Sequence, residues 1–251
     1  MATATLDATL PARLERQFDR LTRRRRDLGA PQIALRSPDR AFTYGDQETA
    51  FHAASIGKLV TGAIVLRLVE AGRLTLDARV DALLPAVELE GLFRDDAPAP
   101  TVLELLQHYS GAADYFEGHR GTSVLNELLA HPELPWTPAE LLDFARERLR
   151  PVGRPGERFH YSDTGFVLLG RIIEELEGRP YHEAVHAHVI DPLGLTRTFL
   201  PRLTTPAEGD ATLAPAWVGR HELSAVPGLS AGWAGGGIAS TTTDLLSFSE
   251  A

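Results

Sequence analysis

The sequence predicts an α+β fold in which an antiparallel sheet is flanked by helices and an all-helical lobe is inserted after the first strands. Short apolar segments around a turn signal indicate strands near the N-terminus, and a long apolar run follows them. From residue 76 to about residue 200 the apolar spacing is helical and interrupted by prolines, which marks the lobe. With 251 residues, 43% of them hydrophobic, we expect one domain over residues 1–251.

An amphipathic helix is expected first, because apolar residues from Leu10 to Leu21 recur at helical spacing and the run Arg23 to Arg26 fits its solvated end. A β-hairpin follows, with Gln32 to Leu35 and Ala41 to Tyr44 on either side of a Ser-Pro-Asp turn. The other expected helices are Phe51 to Ala71 with its stop at Gly72, Val102 to Gln107, Pro138 to Leu149, Gly165 to Glu177 and Tyr181 to Val189. The first of these is apolar nearly all round, which is typical of a buried central helix.

Composition excludes several function classes. The formal net charge of −9 argues against a nucleic acid or an anionic membrane as partner, because both require a basic surface. The chain has no cysteine, so any nucleophile must be an oxygen or a lysine. It has neither an apolar stretch of membrane-spanning length nor a secretory pattern at its N-terminus, and we expect a cytoplasmic protein.

The pair Ser55 and Lys58 matches the pattern S-x-x-K. Residues three apart share one helical face, so a helix beginning at Ser55 would bring the lysine amine within reach of the serine hydroxyl. The helix N-terminus would stabilise an acyl oxyanion, and burial would lower the pKa of the lysine so that it acts as a base. Of the 25 basic residues all but Lys58 are arginine, which cannot supply a neutral amine.

A second candidate element is the run Tyr161-Ser162-Asp163, which precedes an apolar helical pattern. A tyrosine hydroxyl beside a protonated lysine can move a proton, and Asp163 could hydrogen-bond Lys58 or the substrate. The run Tyr44-Gly45-Asp46 has the same form, so position rather than pattern favours Tyr161.

A competing motif, His182-Glu183-Ala184-Val185-His186, has the H-E-x-x-H form of zinc metallopeptidases. Its chance expectation of about 0.02 is close to the value of about 0.04 for the serine–lysine pair, so context must decide. A zinc site needs a third protein ligand, and Pro192 stands where the longer motif places a histidine. We therefore expect no metal. The Gly235-Gly236-Gly237 run lacks the spacing of a dinucleotide site and predicts a turn or a close backbone approach, so no cofactor is expected.

Taken together, four segments resemble the family of class C β-lactamases, D-Ala-D-Ala peptidases and related carboxylesterases and D-aminopeptidases. They are FHAASIGKLVTGAIVLRLVEAGRLTLDARV, TVLELLQHYSGAADY, FHYSDTGFVLLGRIIEELEGRPYHEAVHAHVIDPLGLTRTFL and AGGGIASTTTDLLSF. The combination is more specific than any single motif. The resemblance implies the β-lactamase/transpeptidase fold and places the two histidines of the zinc-like motif on an ordinary helix of the family.

The resemblance also implies roles for individual residues. Ser55 would be the acylated nucleophile, Lys58 its activating partner and Tyr161 the general base or acid, whereas Asp163 and Tyr109 would contact the substrate. Asp163 stands where many relatives have asparagine, which changes the charge beside Lys58. The expected function is a serine hydrolase that forms an acyl-enzyme with a small ester, amide or β-lactam.

One departure from the family opens an alternative. Relatives carry a third motif, Lys or His followed by a small residue and Gly, on a later strand that supplies an oxyanion N–H. No such motif follows Tyr161 here. We therefore expect a chain that lacks its C-terminal strands, and the alternative is a catalytically incomplete or binding-only relative. Losing one oxyanion donor would cost on the order of 10²–10³ in rate.

Overall fold

The computed structural model describes residues 10–25, 29 and 31–251. Within these residues the strands form three separate antiparallel pairs, β1 with β2, β3 with β6 and β4 with β5. The strands are β1 Ile33–Ser37, β2 Arg40–Tyr44, β3 Phe51–His52, β4 Trp217–Val218, β5 His221–Glu222 and β6 Ala239–Ser240. The helices are α1 Leu10–Arg24, α2 Gly57–Glu70, α3 Ala86–Leu89, α4 Val102–Leu106, α5 Val124–Ala130, α6 Pro138–Arg148, α7 Asp163–Glu177, α8 Tyr181–Val185, α9 Asp191–Leu193, α10 Trp233–Gly236 and α11 Thr242–Ser249.

The N-terminal helix and hairpin lie where the sequence places them. In the hairpin, Ile33 is opposite Tyr44 and Ser37 is opposite Arg40, so the turn consists of Pro38 and Asp39. Phe18 of α1 packs on the Tyr44 ring at a centroid distance of 5.3 Å. Helix α1 therefore lies on this hairpin. Arg26, the last residue of the arginine run, lies outside the described residues.

The predicted helix from Phe51 to Ala71 begins later than expected. Phe51 and His52 form strand β3, because they pair with Ser240 and Ala239 at the far end of the chain. A 3₁₀ turn over Ala54–Ile56 then leads into α2, so a strand, a tight turn and a helix replace one long helix. Sequence periodicity cannot detect this strand, since its partner is almost 190 residues away.

Helices α2 and α7 form the centre of the core. Ten of the residues of α7 are buried, and Ile64 and Val65 of α2 have no exposed surface. The prediction that α2 is buried all round is wrong in part, since Leu59 and Leu66 are 63% and 53% exposed. The stop at Gly72 is confirmed by its positive φ of 69°, a conformation that glycine adopts without strain.

The expected helix from Tyr181 to Val189 is divided. Helix α8 ends at Val185, and a π-helical turn over His186–Ile190 connects it to α9. Helices α3 and α5 were not expected from the sequence. In the described part of the chain, no helix has both the length and the apolarity required to cross a membrane.

Candidate active site

Ser55 lies in the tight turn between strand β3 and helix α2, and it is exposed. The preceding residue, Ala54, has a φ of 47°, a left-handed conformation that is costly for a residue with a side chain. Because α2 begins at Gly57, the partial positive charge of its N-terminus lies within two residues of Ser55. We expected the serine to be the first residue of the helix. It lies instead in the turn that leads into the helix.

The glycine-rich segment of α10 packs directly against this turn. A Cβ added at Gly236 would lie 3.1 Å from the backbone carbonyl of Ala54, and one added at Gly57 would lie 3.2 Å from the Cα of Gly236. These contacts are between backbones, so side chains on either side would push the two segments apart. The close backbone approach predicted for the glycine run is confirmed.

The side chain of Lys58 is buried and makes two hydrogen bonds. Its Nζ donates to Oδ1 of Asp163 in a buried ion pair and to the carbonyl oxygen of Gly235 at 2.7 Å. The expectation that Lys58 reaches the Ser55 hydroxyl is therefore not met. The structure gives a physical reason, because the carboxylate is an ionised acceptor and a buried ammonium requires such a partner. The sequence analysis expected Gly235 only as part of a turn or a close backbone approach, and missed that its carbonyl accepts from Lys58.

Asp163 is the first residue of helix α7 and is fixed from behind by a second carboxylate. Its backbone N–H donates to Oδ1 of Asp114 at 2.9 Å. Burial raises the pKa of Asp163 to about 6, against the opposing effect of the Lys58 charge, and Asp114 adds to the rise. Two buried carboxylates thus share the neighbourhood of one lysine.

Tyr161 connects the serine to the lysine. Its hydroxyl donates to Oγ of Ser55 at 2.7 Å. The Nζ of Lys58 lies 4.8 Å from the centroid of the same ring. A cation at this distance is attracted to the face of an aromatic ring and stabilises negative charge on its oxygen. The structure therefore brings Ser55, Lys58, Tyr161 and Asp163 together, although Lys58 reaches Ser55 only by way of the Tyr161 ring.

Tyr109 lies further out. Its ring meets the exposed ring of Phe159 edge-on at 6.2 Å, and within the described residues its hydroxyl has no hydrogen-bond partner. His108, which precedes Tyr109 in the chain, stacks on the Tyr161 ring with a centroid distance of 4.3 Å. Sequence reasoning missed His108 because a lone histidine in a loop carries no spacing signal.

A cavity of about 950 Å³ borders the same glycine segment at Trp233 and Gly237. Its lining is largely apolar and includes His52 of strand β3, but it includes none of Ser55, Lys58, Tyr161 and Asp163. The candidate site is thus defined by its convergent side chains and not by this cavity.

Among the described residues, the zinc-like motif has no third ligand. Nδ1 of His186 lies 3.2 Å from Asp191, and its Nε2 is buried without a partner among the described residues. Over residues 10–25, 29 and 31–251, no three His, Cys, Asp or Glu side chains are arranged to hold a metal ion. A zinc centre at His182, Glu183 and His186 would need such a ligand.

Comparison with known proteins identifies the family and the fold. The family model described as Beta-lactamase matches residues 39–251. The chain belongs to the β-lactamase family. A solved D-stereospecific amidohydrolase from Streptomyces sp. superposes with a TM-score of 0.68 at 30% identity, over 84% of this chain and 63% of that one. The predicted α+β fold of the β-lactamase/transpeptidase type is thereby confirmed.

Curated relatives within the β-lactamase family include hydrolases and penicillin-binding proteins. Esterase EstB of Burkholderia gladioli is 34% identical over 208 residues, which are 75% of this chain and 51% of the esterase. Penicillin-binding protein 4 of Amycolatopsis lactamdurans is 31% identical over 166 residues, which are 64% of this chain and 38% of that protein. The chain spans about half, or less, of the length of these relatives.

A first prediction concerns the pH dependence of stability. The pKa of Asp163 is about 6 in the folded protein and near 3.8 in the unfolded chain, so the folded state holds the Asp163 proton more tightly. Ionisation of Asp163 therefore lowers the free energy of unfolding as pH rises from about 4 to 6. The side chain of Asp163→Asn cannot titrate. We therefore expect the free energy of unfolding of the variant, minus that of wild type, to increase as pH rises from about 4 to 6 and to be constant above pH 6. Urea unfolding of both proteins from pH 4 to 8 measures this difference.

Comparison of wild type with Asp163→Asn separates the effect of Asp163 on stability from the opposing effect of His108. Burial lowers the pKa of His108 to about 4, which makes stability rise with pH over nearly the same window. His108 is common to wild type and variant, so its contribution cancels. A stability difference that does not change between pH 4 and 6 would contradict the assigned direction for Asp163.

Proposed function

We propose that this chain is a serine hydrolase that acts through a covalent ester on Ser55. The observation that carries the proposal is the 2.7 Å hydrogen bond between Tyr161 and Oγ of Ser55, at a strained turn before the N-terminus of α2. A nucleophile within hydrogen-bond distance of a proton acceptor that is itself held by a third group is the usual arrangement for acyl transfer. Here the third group is Lys58, held in turn by Asp163.

The proposed reaction has two balanced steps. Oγ of Ser55 attacks the carbonyl carbon of the substrate and passes its proton to the Tyr161 oxygen, while the Tyr161 hydroxyl gives its own proton to the leaving alcohol or amine as the carbon–oxygen or carbon–nitrogen bond breaks. Water then attacks the acyl-enzyme, Tyr161 accepts a proton from the water, and Ser55 recovers one as the acid is released. The ammonium of Lys58 stabilises the negative charge that develops on the Tyr161 oxygen during the transfer, and the α2 N-terminus stabilises the oxyanion.

The substrate class follows from the site and from the relatives. The side chains present activate a hydroxyl toward a carbonyl and involve no metal or cofactor in any step, so an ester, an amide or a β-lactam is suitable. An esterase and a D-stereospecific amidohydrolase are among the similar proteins. We propose neither a nucleic acid nor a membrane as partner, since the net charge is −9.

The direct test is covalent labelling. The protein is incubated with a fluorophosphonate or with penicillin, and the intact mass and the digested peptides are measured. We expect one adduct, on the peptide that contains Ser55, and hydrolysis of p-nitrophenyl acetate that a chelator does not affect. A folded protein that carries no adduct and turns over no ester would favour the binding-only alternative, and chelator-sensitive hydrolysis would favour a metal site.

A second prediction concerns the proton transfer. Tyr161→Phe retains the ring beneath Lys58 but removes the hydroxyl that contacts Ser55. We expect kcat/KM for p-nitrophenyl acetate to fall by about 10²–10⁴, the usual contribution of a general acid or base. Tyr44→Phe removes a hydroxyl that bonds Asp19 at the hairpin, outside the candidate site, and is the matched control, with an expected change of less than about threefold in kcat for this small ester. Similar losses in the two variants would contradict the role of Tyr161.

A further inference from the structure

We infer that His108 is the positioning residue that holds the Tyr161 hydroxyl on Ser55. The inference rests on the proposed function and adds a residue that neither the motifs nor the sequence resemblance assigned. It is carried by three contacts from one residue to the three consecutive residues His160, Tyr161 and Ser162.

Two of these contacts are hydrogen bonds to the backbone on either side of Tyr161. The carbonyl oxygen of His108 accepts from the N–H of His160 at 2.8 Å. The ring Nδ1 of His108 accepts from the N–H of Ser162 at 3.1 Å. Both backbone amides that flank Tyr161 are thus attached to the same residue, which fixes the direction in which the tyrosine side chain leaves the backbone.

The third contact is with the tyrosine side chain itself. The rings of His108 and Tyr161 stack with centroids 4.3 Å apart and an angle of 26° between their planes. On its other sides the His108 ring meets Phe166 at 5.2 Å and Phe159 at 5.8 Å. Since a tyrosine ring has few rotatable bonds, fixing its backbone and one face determines where its hydroxyl lies.

The backbone of His108 indicates that this geometry is imposed on the chain. Its φ is 61°, in the left-handed region that is sparsely populated for residues with a side chain. Strained residues persist where the surrounding structure requires them, and they cluster at active sites. Ala54, on the other side of the Ser55–Tyr161 hydrogen bond, is also left-handed, with a φ of 47°.

The protonation state of His108 suits this role. A ring nitrogen that accepts from a backbone N–H carries no proton, so the ring is neutral, with any proton on Nε2. Burial and the charge of Lys58 lower the pKa of His108 to about 4, although Asp114 acts in the opposite direction and His160 adds a small lowering. The ring therefore stays an acceptor through the neutral pH range.

Two substitutions of His108 separate its hydrogen bond with Ser162 from its stacking on Tyr161. His108→Asn retains a side-chain oxygen that can accept from Ser162 and tolerates a left-handed backbone, but it removes the stacked ring. His108→Phe retains a ring against Tyr161 but removes the acceptor. The matched control is His131→Asn, since the His131 side chain is 58% exposed and lies in another loop. Thermal unfolding of each variant establishes that it folds.

The kinetic test measures kcat and KM separately for hydrolysis of p-nitrophenyl acetate by each variant. A misplaced catalytic group lowers kcat, so we expect each His108 variant to lose about 10–10² in kcat with little change in KM and His131→Asn to match wild type. Addition of either His108 substitution to Tyr161→Phe should cause little further loss, because His108 acts only through the Tyr161 hydroxyl. Additive losses, or an unchanged kcat in both His108 variants, would overturn the inference.

A second readout does not depend on activity. The ring carbons of the five tyrosines are labelled with ¹³C, and the Tyr161 signal is assigned by its absence in Tyr161→Phe. We expect this signal to move in His108→Asn, which lacks the stacked ring, and the Tyr161 ring to become more mobile in both His108 variants. An unchanged Tyr161 signal in both variants would overturn the inference even if the wild-type protein carried no adduct, whereas absence of the adduct alone would refute the proposed function.

Discussion

Ser55→Ala is expected to remove covalent labelling and to lower kcat to background, a loss on the order of 10⁶ if the serine is the nucleophile of an acyl-enzyme. The physical reason is that alanine supplies no oxygen for the covalent bond, while the rest of the site stays in place. Ser55 is exposed and its side chain bonds only to Tyr161 among the described residues, so the fold should not depend on it. Intact mass measurement after fluorophosphonate treatment, together with p-nitrophenyl acetate turnover, provides the test.

The control for this substitution is Ser37→Ala. Ser37 is exposed and lies at the end of strand β1, outside the candidate site. We expect this variant to be labelled and to hydrolyse the ester as wild type does, with both variants unfolding within about 0.5 kcal/mol of the parent protein. An adduct of the same stoichiometry in Ser55→Ala would show that another residue is the nucleophile and would refute the assignment.

Local signals in the sequence predicted the local parts of this structure. The hairpin turn and the stop at Gly72 each depend on residues a few positions apart, and both are found in the structure. Helical periodicity also located α7 to within two residues at its start. Short-range rules are sufficient here because a turn or a helix is stabilised mainly by its own neighbours.

Contacts between distant segments could not be predicted in the same way. Lys58 pairs with a residue 105 positions later in the chain and with a carbonyl oxygen 177 positions later. The expected contact of Lys58 with Ser55 is local. Lys58 pairs with Asp163 instead, because a carboxylate stabilises a buried ammonium more than a hydroxyl does. His108 was missed for a related reason, since its role depends on a backbone conformation and a stacking partner that no pattern of residue types encodes.

The Lys58–Asp163 pair leads to the second large effect, on stability. Lys58→Met replaces the lysine by an apolar side chain of similar length and leaves the buried carboxylate of Asp163 without its cation. Breaking a buried ion pair from one side typically costs about 3–5 kcal/mol, and we expect the free energy of unfolding to fall by that amount at pH 7.5. The loss should be smaller at pH 5 than at pH 7.5. Without the Lys58 charge the pKa of Asp163 lies above its wild-type value of about 6, so Asp163 is protonated at pH 5 and carries no unpaired charge. Urea unfolding at pH 5 and pH 7.5 measures both values.

The double variant Lys58→Met with Asp163→Leu separates the structural role of the pair from its catalytic one. Replacing both members of a buried pair by apolar residues is often neutral, so we expect the double variant to recover most of the stability lost at pH 7.5. Its hydrolysis and labelling should stay as low as those of Lys58→Met, because neither variant has a cation over the Tyr161 ring. Recovery of activity together with stability would mean that Lys58 acts only by holding the fold together. Continued inactivity in a stable protein would instead place the positive charge of Lys58 in the chemistry, as the proposed stabilisation of negative charge on the Tyr161 oxygen requires.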